Sequence, residues 1–205
     1  KFAAIIATLY NIAIDYDAEL VEINPLARTA SGKFIAADAR ITIDDNALFR
    51  HPEFADRSSL RVDDTPLEAE ARQQKLAYVD LDGDIGIIGN GAGLVMATLD
   101  LVGFFGGKPA NFLDMGGGAQ TEVIKKGVTL VMSKPEVKAV LINILGGITR
   151  CDVVAQGIIS ALNESTIKKP IAVRMIGTNE EEGTQRLRQA GVHTYSNTEE
   201  AVKAV

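Results

Sequence analysis

The spacing of apolar residues along the chain changes character near residue 79. Over residues 2–17, apolar side chains recur every three or four positions, which predicts an amphipathic helix. Two short apolar stretches at 20–23 and 33–38 lie on either side of Ser31 and Gly32, so we expect them to pair as a hairpin. A short helical run is predicted from Asp44 to Arg50.

Beyond residue 79, short apolar strands alternate with helices. Strands are predicted at 85–89, 111–113, 139–145, 171–175 and 192–195, and helices at 92–105, 120–132, 151–162, 180–190 and 198–204. Nearly continuously apolar strands separated by helices predict a parallel sheet with helices on both faces. Five such units are typical of a flavodoxin-like doubly wound α/β domain, which binds ligands at the carboxyl ends of its strands.

The stretch between these two patterns is charged and poor in large apolar residues. We expect an extended connection with a short helix there. The predicted organisation is a first region at 1–54, a linker at 55–78 and the α/β domain at 79–205.

Composition excludes several classes of function. The net charge of -6 leaves no basic excess to neutralise a phosphate backbone, so nucleic acid is not expected as the main partner. No apolar run is long enough to cross a bilayer, and no membrane association is expected. The single cysteine, Cys151, excludes an internal disulfide framework and favours a reducing, intracellular compartment.

Three glycine-rich segments follow predicted strands and precede predicted helices. They lie at 89–93, 114–119 and 145–150. In a parallel sheet these turns fall on one edge, where amides at helix amino ends favour an anion such as a carboxylate, an acyl phosphate or a phosphorylated side chain. Three tight turns without a ligand are the alternative interpretation.

The predicted hairpin carries three polar side chains with oxygen atoms: Glu22, Asn24 and Asp38. Carboxylate and amide oxygens are ligands that Mg²⁺ prefers, but the spacing alone favours an exposed polar face of the hairpin. His51 and His193 have no partner suggested by the sequence, so we expect neither to be catalytic. Cys151 is expected to be a small buried residue.

Five segments together resemble one known family. They are EINPL at 22–26, DNALFR at 45–50, NGAGL at 90–94, PANFLD with GGGA at 109–119, and GGI with RCD at 146–152. In this order and at these separations they resemble the β subunit of succinyl-CoA synthetase, also called succinate–CoA ligase. The resemblance covers nearly the whole chain.

The resemblance implies a reaction and a set of roles. The family forms succinyl-CoA, nucleoside diphosphate and phosphate from succinate, coenzyme A and ATP or GTP, through a phosphohistidine on an α subunit. Asn24 and Asp38 match the family's Mg²⁺ ligands, and Glu22 matches the acidic residue that faces the phosphohistidine. Asn90, Gly147, Ile148 and Thr149 match the positions that contact the acid substrate.

The resemblance also implies that residues 1–54 are the carboxyl-terminal part of an ATP-grasp domain. Its nucleotide-holding lobe does not precede Lys1, so the chain is expected to be a fragment that is inactive alone. The family is cytoplasmic, or in the mitochondrial matrix of eukaryotes.

Two alternatives stay open at this point. Thr149 stands where the family often has an aliphatic residue, which keeps a related malate-CoA ligase open. A non-catalytic flavodoxin-like binding or receiver module is the other alternative, but its acidic residues Asp80, Asp82 and Asp84 precede the first strand rather than follow it.

Overall fold

The computed structural model of the protein describes residues 2–54 and 64–205. The chain divides into two compact units, unit 1 at residues 1–60 and unit 2 at residues 61–205. Part of the predicted linker, residues 55–63, lies outside the described residues. The domain boundaries expected from the sequence stay a prediction.

The described part of unit 1 consists of a helix, short strands and 3₁₀ turns. These are α1 (Phe2–Asp15), β1 (Ala18–Ile23), β2 (Leu26–Arg28), β3 (Phe34–Ala36), β4 (Ala39–Ile43) and 3₁₀ turns at Asp45–Arg50 and Pro52–Phe54. α1 confirms the predicted amphipathic helix. None of its residues is buried, although Ile5 and Leu9 line a groove with Val21 and Ile41.

The strands of unit 1 form two antiparallel pairs, which corrects the predicted pairing of 20–23 with 33–38. β1 pairs with β4, whereas β2 pairs with β3 across the predicted turn at 31–32. Residues 24–25 interrupt one arm of this hairpin and residues 37–38 interrupt the other. Pro25 has no N–H to donate to a neighbouring strand, which accounts for a break at this point.

Asp17 connects the turn after α1 to the 3₁₀ turns of unit 1. Its carboxylate accepts hydrogen bonds from Arg50 Nε at 3.0 Å and Nη2 at 2.8 Å, and it lies 2.7 Å from His51 Nε2. These bonds, with Arg50 first, lower the pKa of Asp17 from 3.8 to about 2. The His51 ring also lies 6.0 Å from the rings of Tyr16 and Phe54, so His51 has structural partners within unit 1.

The described part of unit 2 is a three-layer α/β domain. Its elements are α2 (Pro66–Gln73), β5 (Ala77–Asp80), β6 (Ile85–Gly89), α3 (Ala92–Phe104), β7 (Asn111–Asp114), α4 (Thr121–Ser133), β8 (Ala139–Gly146), α5 (Cys151–Glu164), β9 (Ile171–Gly177), α6 (Glu180–Gln189), β10 (His193–Tyr195) and α7 (Thr198–Lys203). The sheet order is β10-β9-β8-β6-β7-β5, and all pairs are parallel except β5 with β7. The predicted flavodoxin-like doubly wound fold is confirmed.

The sheet of unit 2 separates two apolar cores. The first six residues of β8 are buried, so its side chains enter both cores. Ile142 and Ile144 pack with residues of α4 and α5 on one face, whereas Leu141 packs with Ile87 and with Val102 of α3 on the other. The continuous apolar run that predicted this strand therefore reflects burial on both sides.

The edge strand β5 is absent from the sequence prediction, which assigned residues 55–78 to a linker. It pairs antiparallel with the whole of β7. The buried Lys134, at the end of α4, donates to Asp80 Oδ1 at 2.5 Å and to the carbonyl oxygens of Leu81 at 2.6 Å and Ala110 at 2.8 Å. A buried ammonium requires such acceptors, and here they attach β5 to the rest of the domain.

Asn111 completes the contact between β6 and β7. The buried side-chain amide donates to Ile87 O at 2.8 Å and accepts from Ile87 N at 3.1 Å. It therefore takes the place of strand-to-strand bonds before the strands pair at Gly89 and Asp114.

Throughout residues 2–54 and 64–205, no helix combines the length and apolar character that crossing a bilayer requires.

Candidate active site

Three glycine-rich loops meet at the carboxyl edge of the unit 2 sheet. Loop 1 (residues 89–93) leads from β6 to α3, loop 2 (residues 114–119) from β7 towards α4, and loop 3 (residues 145–150) from β8 to α5. β6 lies between β7 and β8, so loops 1 and 3 flank the point where the strand order reverses. The predicted arrangement of the loops on one edge is confirmed.

Asn90 joins loop 1 to loop 3. Its Nδ2 donates to Leu145 O at 2.9 Å, and its Oδ1 accepts from Leu145 N at 2.9 Å. Nδ2 also lies 3.4 Å from Thr149 Oγ1. The amide of this predicted substrate-contact residue is thus paired with the backbone of the neighbouring loop.

Thr149 joins loop 3 to loop 2. It is only 2% exposed, and its hydroxyl accepts a hydrogen bond from Gly118 N at 2.8 Å. The hydroxyl that raised the question of substrate identity is therefore turned into the protein. By contrast, the preceding Gly147 is exposed and Ile148 is 87% exposed.

Asp114 joins loop 2 to loop 1, and the sequence did not single it out. One carboxylate oxygen, Oδ1, accepts from Gly91 N at 2.6 Å and from Gly116 N at 2.7 Å. Both glycines have positive φ, 104° and 72°, which residues with a Cβ rarely adopt. The signal in the sequence was an aspartate between an apolar strand and a glycine run, but it did not indicate which amides the carboxylate would meet.

The helices that follow the three loops have no side-chain caps. Their N-cap residues, Gly91, Gln120 and Arg150, make no capping bond through a side chain, whereas Thr65 of α2 and Asn197 of α7 do. The first N–H groups of an uncapped helix lack intrahelical partners and carry partial positive charge. At α5 the first of these groups, Cys151 N–H, donates to Thr178 O at 2.9 Å, so the amino ends of α3 and α4 are the ones that offer amide donors to an anion.

The thiol nearest to these loops is not activated. Cys151, at the start of α5, is completely buried. Burial, followed by the charges of Glu180 and Asp152, raises the pKa of the Cys151 thiol to about 11. The thiol is protonated at neutral pH, and the predicted role as a small buried residue is confirmed.

The histidine of unit 2 lies at the opposite edge of the sheet. His193 begins β10 and pairs with Ala172, near the amino end of β9.

Arg150, in loop 3, forms a two-point ion pair with Asp152, with nitrogen to oxygen distances of 3.1 and 3.0 Å. This pair raises the pKa of Arg150 and lowers the pKa of Asp152. Neither His193 nor this ion pair supplies a nucleophile to the carboxyl edge of unit 2.

In unit 1, the predicted metal ligands Asn24 and Asp38 lie in the two breaks of the hairpin. The registers of the two strand pairs continue through the breaks, so Asn24 lies opposite Asp38. Both residues lie in the breaks rather than on strands, which corrects the prediction. Asn24 Nδ2 donates to Glu22 Oε1 at 3.0 Å, so these two side chains share a face.

The donor atoms of this group suit a hard cation. With its Nδ2 bonded to Glu22, Asn24 retains its amide oxygen, and Asp38 uses Oδ1 to accept from Ala39 N at 2.9 Å. Mg²⁺ is often held by one or two protein oxygens, with water and phosphate completing its shell. No group of three or more His, Cys, Asp or Glu side chains suited to a metal occurs in residues 2–54 and 64–205.

Residues 88–205, which contain the carboxyl edge and four of the six strands in full, match a sequence model described as CoA-ligase. This match covers more than half of the chain. The chain belongs to the CoA-ligase family. The loops described above are therefore the loops of a CoA-ligase domain.

Curated relatives extend the likeness to nearly the whole chain. The succinate–CoA ligase [ADP-forming] subunit beta of Desulfurococcus amylolyticus is 56% identical over 97% of this chain and 52% of the relative. The [GDP-forming] subunit beta of Thermus thermophilus is 52% identical over 100% of this chain and 54% of the relative. The resemblance inferred from the motifs is confirmed, and the chain spans about half the length of these relatives.

Solved structures share the fold of this CoA-ligase chain. ATP citrate lyase from Methanothrix soehngenii, in complex with citrate and coenzyme A, aligns with a TM-score of 0.76 over 98% of this chain and 57% of that chain, at 19% identity. A dinucleotide-forming acetyl-coenzyme A synthetase of Ca. Korarchaeum cryptofilum aligns with a TM-score of 0.53 over 80% of this chain and 40% of that chain, at 20% identity. At these identities the likeness concerns the fold alone.

Proposed function

We propose that this chain is part of a succinate–CoA ligase β subunit, and that its carboxyl edge binds the acid substrate and a phosphohistidine of an α subunit. The observation that carries the proposal is the composition of that edge: uncapped amino ends of α3 and α4 offer amide donors, and the only thiol is buried and protonated. Such an edge binds anions but performs no covalent step. The nucleophile is then expected from outside this edge, and its proposed source is the histidine of the α subunit.

The proposed reaction forms succinyl-CoA, nucleoside diphosphate and phosphate from succinate, coenzyme A and ATP or GTP. The histidine first takes the terminal phosphoryl group of ATP or GTP, and the nucleoside diphosphate leaves. A carboxylate oxygen of succinate then takes the phosphoryl group, and the phosphorus–nitrogen bond breaks. The thiol sulfur of coenzyme A attacks the carbonyl carbon of the acyl phosphate, the carbon–oxygen bond to phosphate breaks, and the thiol proton leaves with the phosphate. Fixed amide donors stabilise the negative charge that develops in the two steps at the carboxyl edge.

We assign substrate contact at this edge to Asn90, Gly147, Ile148 and Thr149. Thr149 would act through its backbone, because its hydroxyl already accepts from Gly118 N. The Thr149 hydroxyl was the reason to consider malate as the substrate. Because that hydroxyl is hydrogen-bonded within the protein, we propose succinate as the preferred substrate. Asn90 retains partial exposure, whereas its amide fixes the position of loop 3.

In unit 1, Asn24 and Asp38 would hold Mg²⁺, and Glu22 would face the phosphohistidine at the nucleotide end of the reaction. The cation would neutralise phosphate charge. Asn24 opposite Asp38, with Glu22 bonded to Asn24, is a donor set consistent with these roles. An intracellular location stays a prediction.

The receiver-module alternative has no support from the acidic residues. Asp80 ends β5 opposite Asn111 and Asp84 precedes β6, so both lie at the amino edge of the sheet. Asp80 is bonded to Lys134 and Asp84 to Lys138. A phosphorylation pocket would require free carboxylates at the carboxyl edge.

The proposal is tested with the full-length β subunit and its α subunit. We expect the wild-type complex to form succinyl-CoA faster than malyl-CoA, and Gly147→Trp to weaken both α association and turnover. A Cβ at Gly147 has open space, as it does at Gly103 in the last turns of α3, so Gly103→Trp is the matched control at the far end of the domain. Undiminished association and turnover of the Gly147 variant would refute the proposed interface.

The cation assignment has its own test. In the same complex, Asp38→Ala is expected to raise the Mg²⁺ concentration for half-maximal rate by about 10-fold, because a ligand is lost. Glu19→Ala, an exposed carboxylate of β1, is the control. An unchanged Mg²⁺ dependence of the Asp38 variant would remove Asp38 from the site.

A further inference from the structure

Each pair of loops at the carboxyl edge is connected by one side chain. Asn90 connects loops 1 and 3, Thr149 connects loops 2 and 3, and Asp114 connects loops 1 and 2. Asn90 and Thr149 stand among the expected substrate contacts. Asp114 has no assigned role, although it makes the two shortest bonds of the set, 2.6 and 2.7 Å.

The two bonds of Asp114 set the position of a helix amino end. Gly91 is the N-cap of α3, and its N–H points to Asp114 Oδ1. Gly116 N–H points to the same oxygen. Because one atom accepts both bonds, the amino end of α3 and the glycine run of loop 2 keep a fixed separation. Hydrogen bonds to a carboxylate are stronger than neutral ones, so the constraint is stiff.

The fold around Asp114 is secured without its carboxylate. The Asp114 backbone pairs with Ala77 of β5 on one side and Gly89 of β6 on the other. The next residue, Met115, donates its N–H to Gly89 O at 2.9 Å. Removing the carboxylate therefore leaves the strand in place and releases only the amides of Gly91 and Gly116.

We propose that Asp114 is a positioning residue for the reaction of the carboxyl edge, an inference that rests on the proposed function. Its carboxylate fixes the Gly91 and Gly116 amides, and with them the free amides of α3, relative to the anion that they stabilise. The negative charge itself opposes anion binding at this place, so the useful property is the acceptor oxygen. Misplacement of a stabilising group by about 1 Å can lower a rate by about 100-fold.

Two substitutions separate geometry from charge. Asp114→Asn keeps an oxygen at Oδ1 and removes the charge, so kcat should stay near the wild-type value and KM for succinate should not rise. Asp114→Ala removes the acceptor and should lower kcat by about 10- to 100-fold, with a smaller effect on KM, since the loss concerns the transition state. Asp82→Ala, an exposed carboxylate before β6 at the amino edge, should behave like the wild type.

The experiment measures kcat and KM for succinate in the full-length complex, together with hydrogen exchange at the Gly91 and Gly116 amides. Faster exchange and lower kcat in Asp114→Ala, with both restored in Asp114→Asn, support the proposal. An unchanged kcat in Asp114→Ala, an equal loss in Asp114→Asn, or unfolding of Asp114→Ala overturns it. Failure of the wild-type complex to make succinyl-CoA would instead refute the proposed function. The exchange data would still test whether the Asp114 carboxylate holds the Gly91 and Gly116 amides.

Discussion

Unit 1 and unit 2 present their candidate residues in opposite ways. In the described part of unit 1, Ala47 and His51 are the only buried residues, and Glu22, Asn24 and Asp38 lie on a narrow two-stranded hairpin. In unit 2 the loops stand on a sheet whose central strand, β8, is buried over six consecutive residues. The candidate side chains of unit 1 are thus exposed or half-buried, whereas in unit 2 the side chain of Thr149 is buried and that of Ile148 is exposed.

The comparison of the two units shows where the loss of a hydrogen bond should change stability. Water replaces a lost partner in an exposed hairpin, but a buried donor or acceptor left alone loses free energy. The contacts of Asp114 and Thr149 should therefore constrain their loops, whereas the bond between Asn24 and Glu22 is free to rearrange around a cation. The same type of substitution should have unequal effects in the two units.

The largest difference is expected for an isoleucine in each unit. Ile142 of β8 is completely buried, so Ile142→Ala should lower the free energy of unfolding of unit 2 by about 3 to 4 kcal/mol. Ile41 of β4 is 51% exposed, and Ile41→Ala should cost less than about 1 kcal/mol. Hydrogen exchange of strand amides in each unit measures both values, and equal losses would break the comparison.

The next largest difference in stability is expected for a positively charged side chain in each unit. Lys134→Met leaves Asp80 and two carbonyl oxygens without their donor, which should cost about 3 kcal/mol and speed amide exchange in β5. Arg50→Met in unit 1 also removes a carboxylate partner, Asp17, but on an exposed surface, so its effect should be much smaller. Denaturant unfolding of the two variants ranks them; the reverse order would be inconsistent with this account.

A threonine in each unit gives a smaller difference. Thr149→Val removes the acceptor of Gly118 N–H, which should cost about 1 to 2 kcal/mol and speed exchange at that amide. Thr29→Val removes the acceptor of Lys33 N–H in an exposed turn, where water substitutes, so about 0.5 kcal/mol or less is expected. Protection of Gly118 in the Thr149 variant would show that its hydroxyl does not hold loop 2.

The smallest effect concerns acid. Because the folded-state pKa of Asp17 is lowered from 3.8 to about 2, its ion pair stabilises unit 1 fully above pH 4 and is lost as the pH falls towards 2. The Asp17→Asn variant should lack this part of the acid dependence. A titration of the Asp17 carboxyl by NMR checks it directly, and a midpoint near 3.8 would contradict the structure.

The sequence predicted the parts of the fold that depend on local pattern. The five parallel strands and their helices follow from apolar runs such as 139–145, which are buried on both faces. β5 was missed because its four residues acquire strand structure only by pairing with β7, more than thirty residues later. The pairing of unit 1 was misjudged because Pro25 and Asp38 interrupt arms that the apolar pattern does not distinguish.

The candidate site also has features that the local sequence pattern predicts and features that it does not. The location of the glycine loops followed from the rule that parallel strands end on one edge. The roles of individual side chains did not, because they depend on contacts across the fold. Thr149 meets Gly118, 31 residues away, and Asp114 meets Gly91, 23 residues away, and no spacing in the sequence encodes these distances.

The two outer strands of the unit 2 sheet bear on self-association. An unpaired edge offers its N–H and C=O groups to strands of other molecules, which leads to aggregation. Without β5, the side of β7 that faces away from β6 would be such an unpaired edge, next to loop 2. β5 covers it with four residues, and β10 ends the other side with three. β5 and β10 are thus the outer strands of the described sheet, and their shortness limits pairing with strands of other molecules.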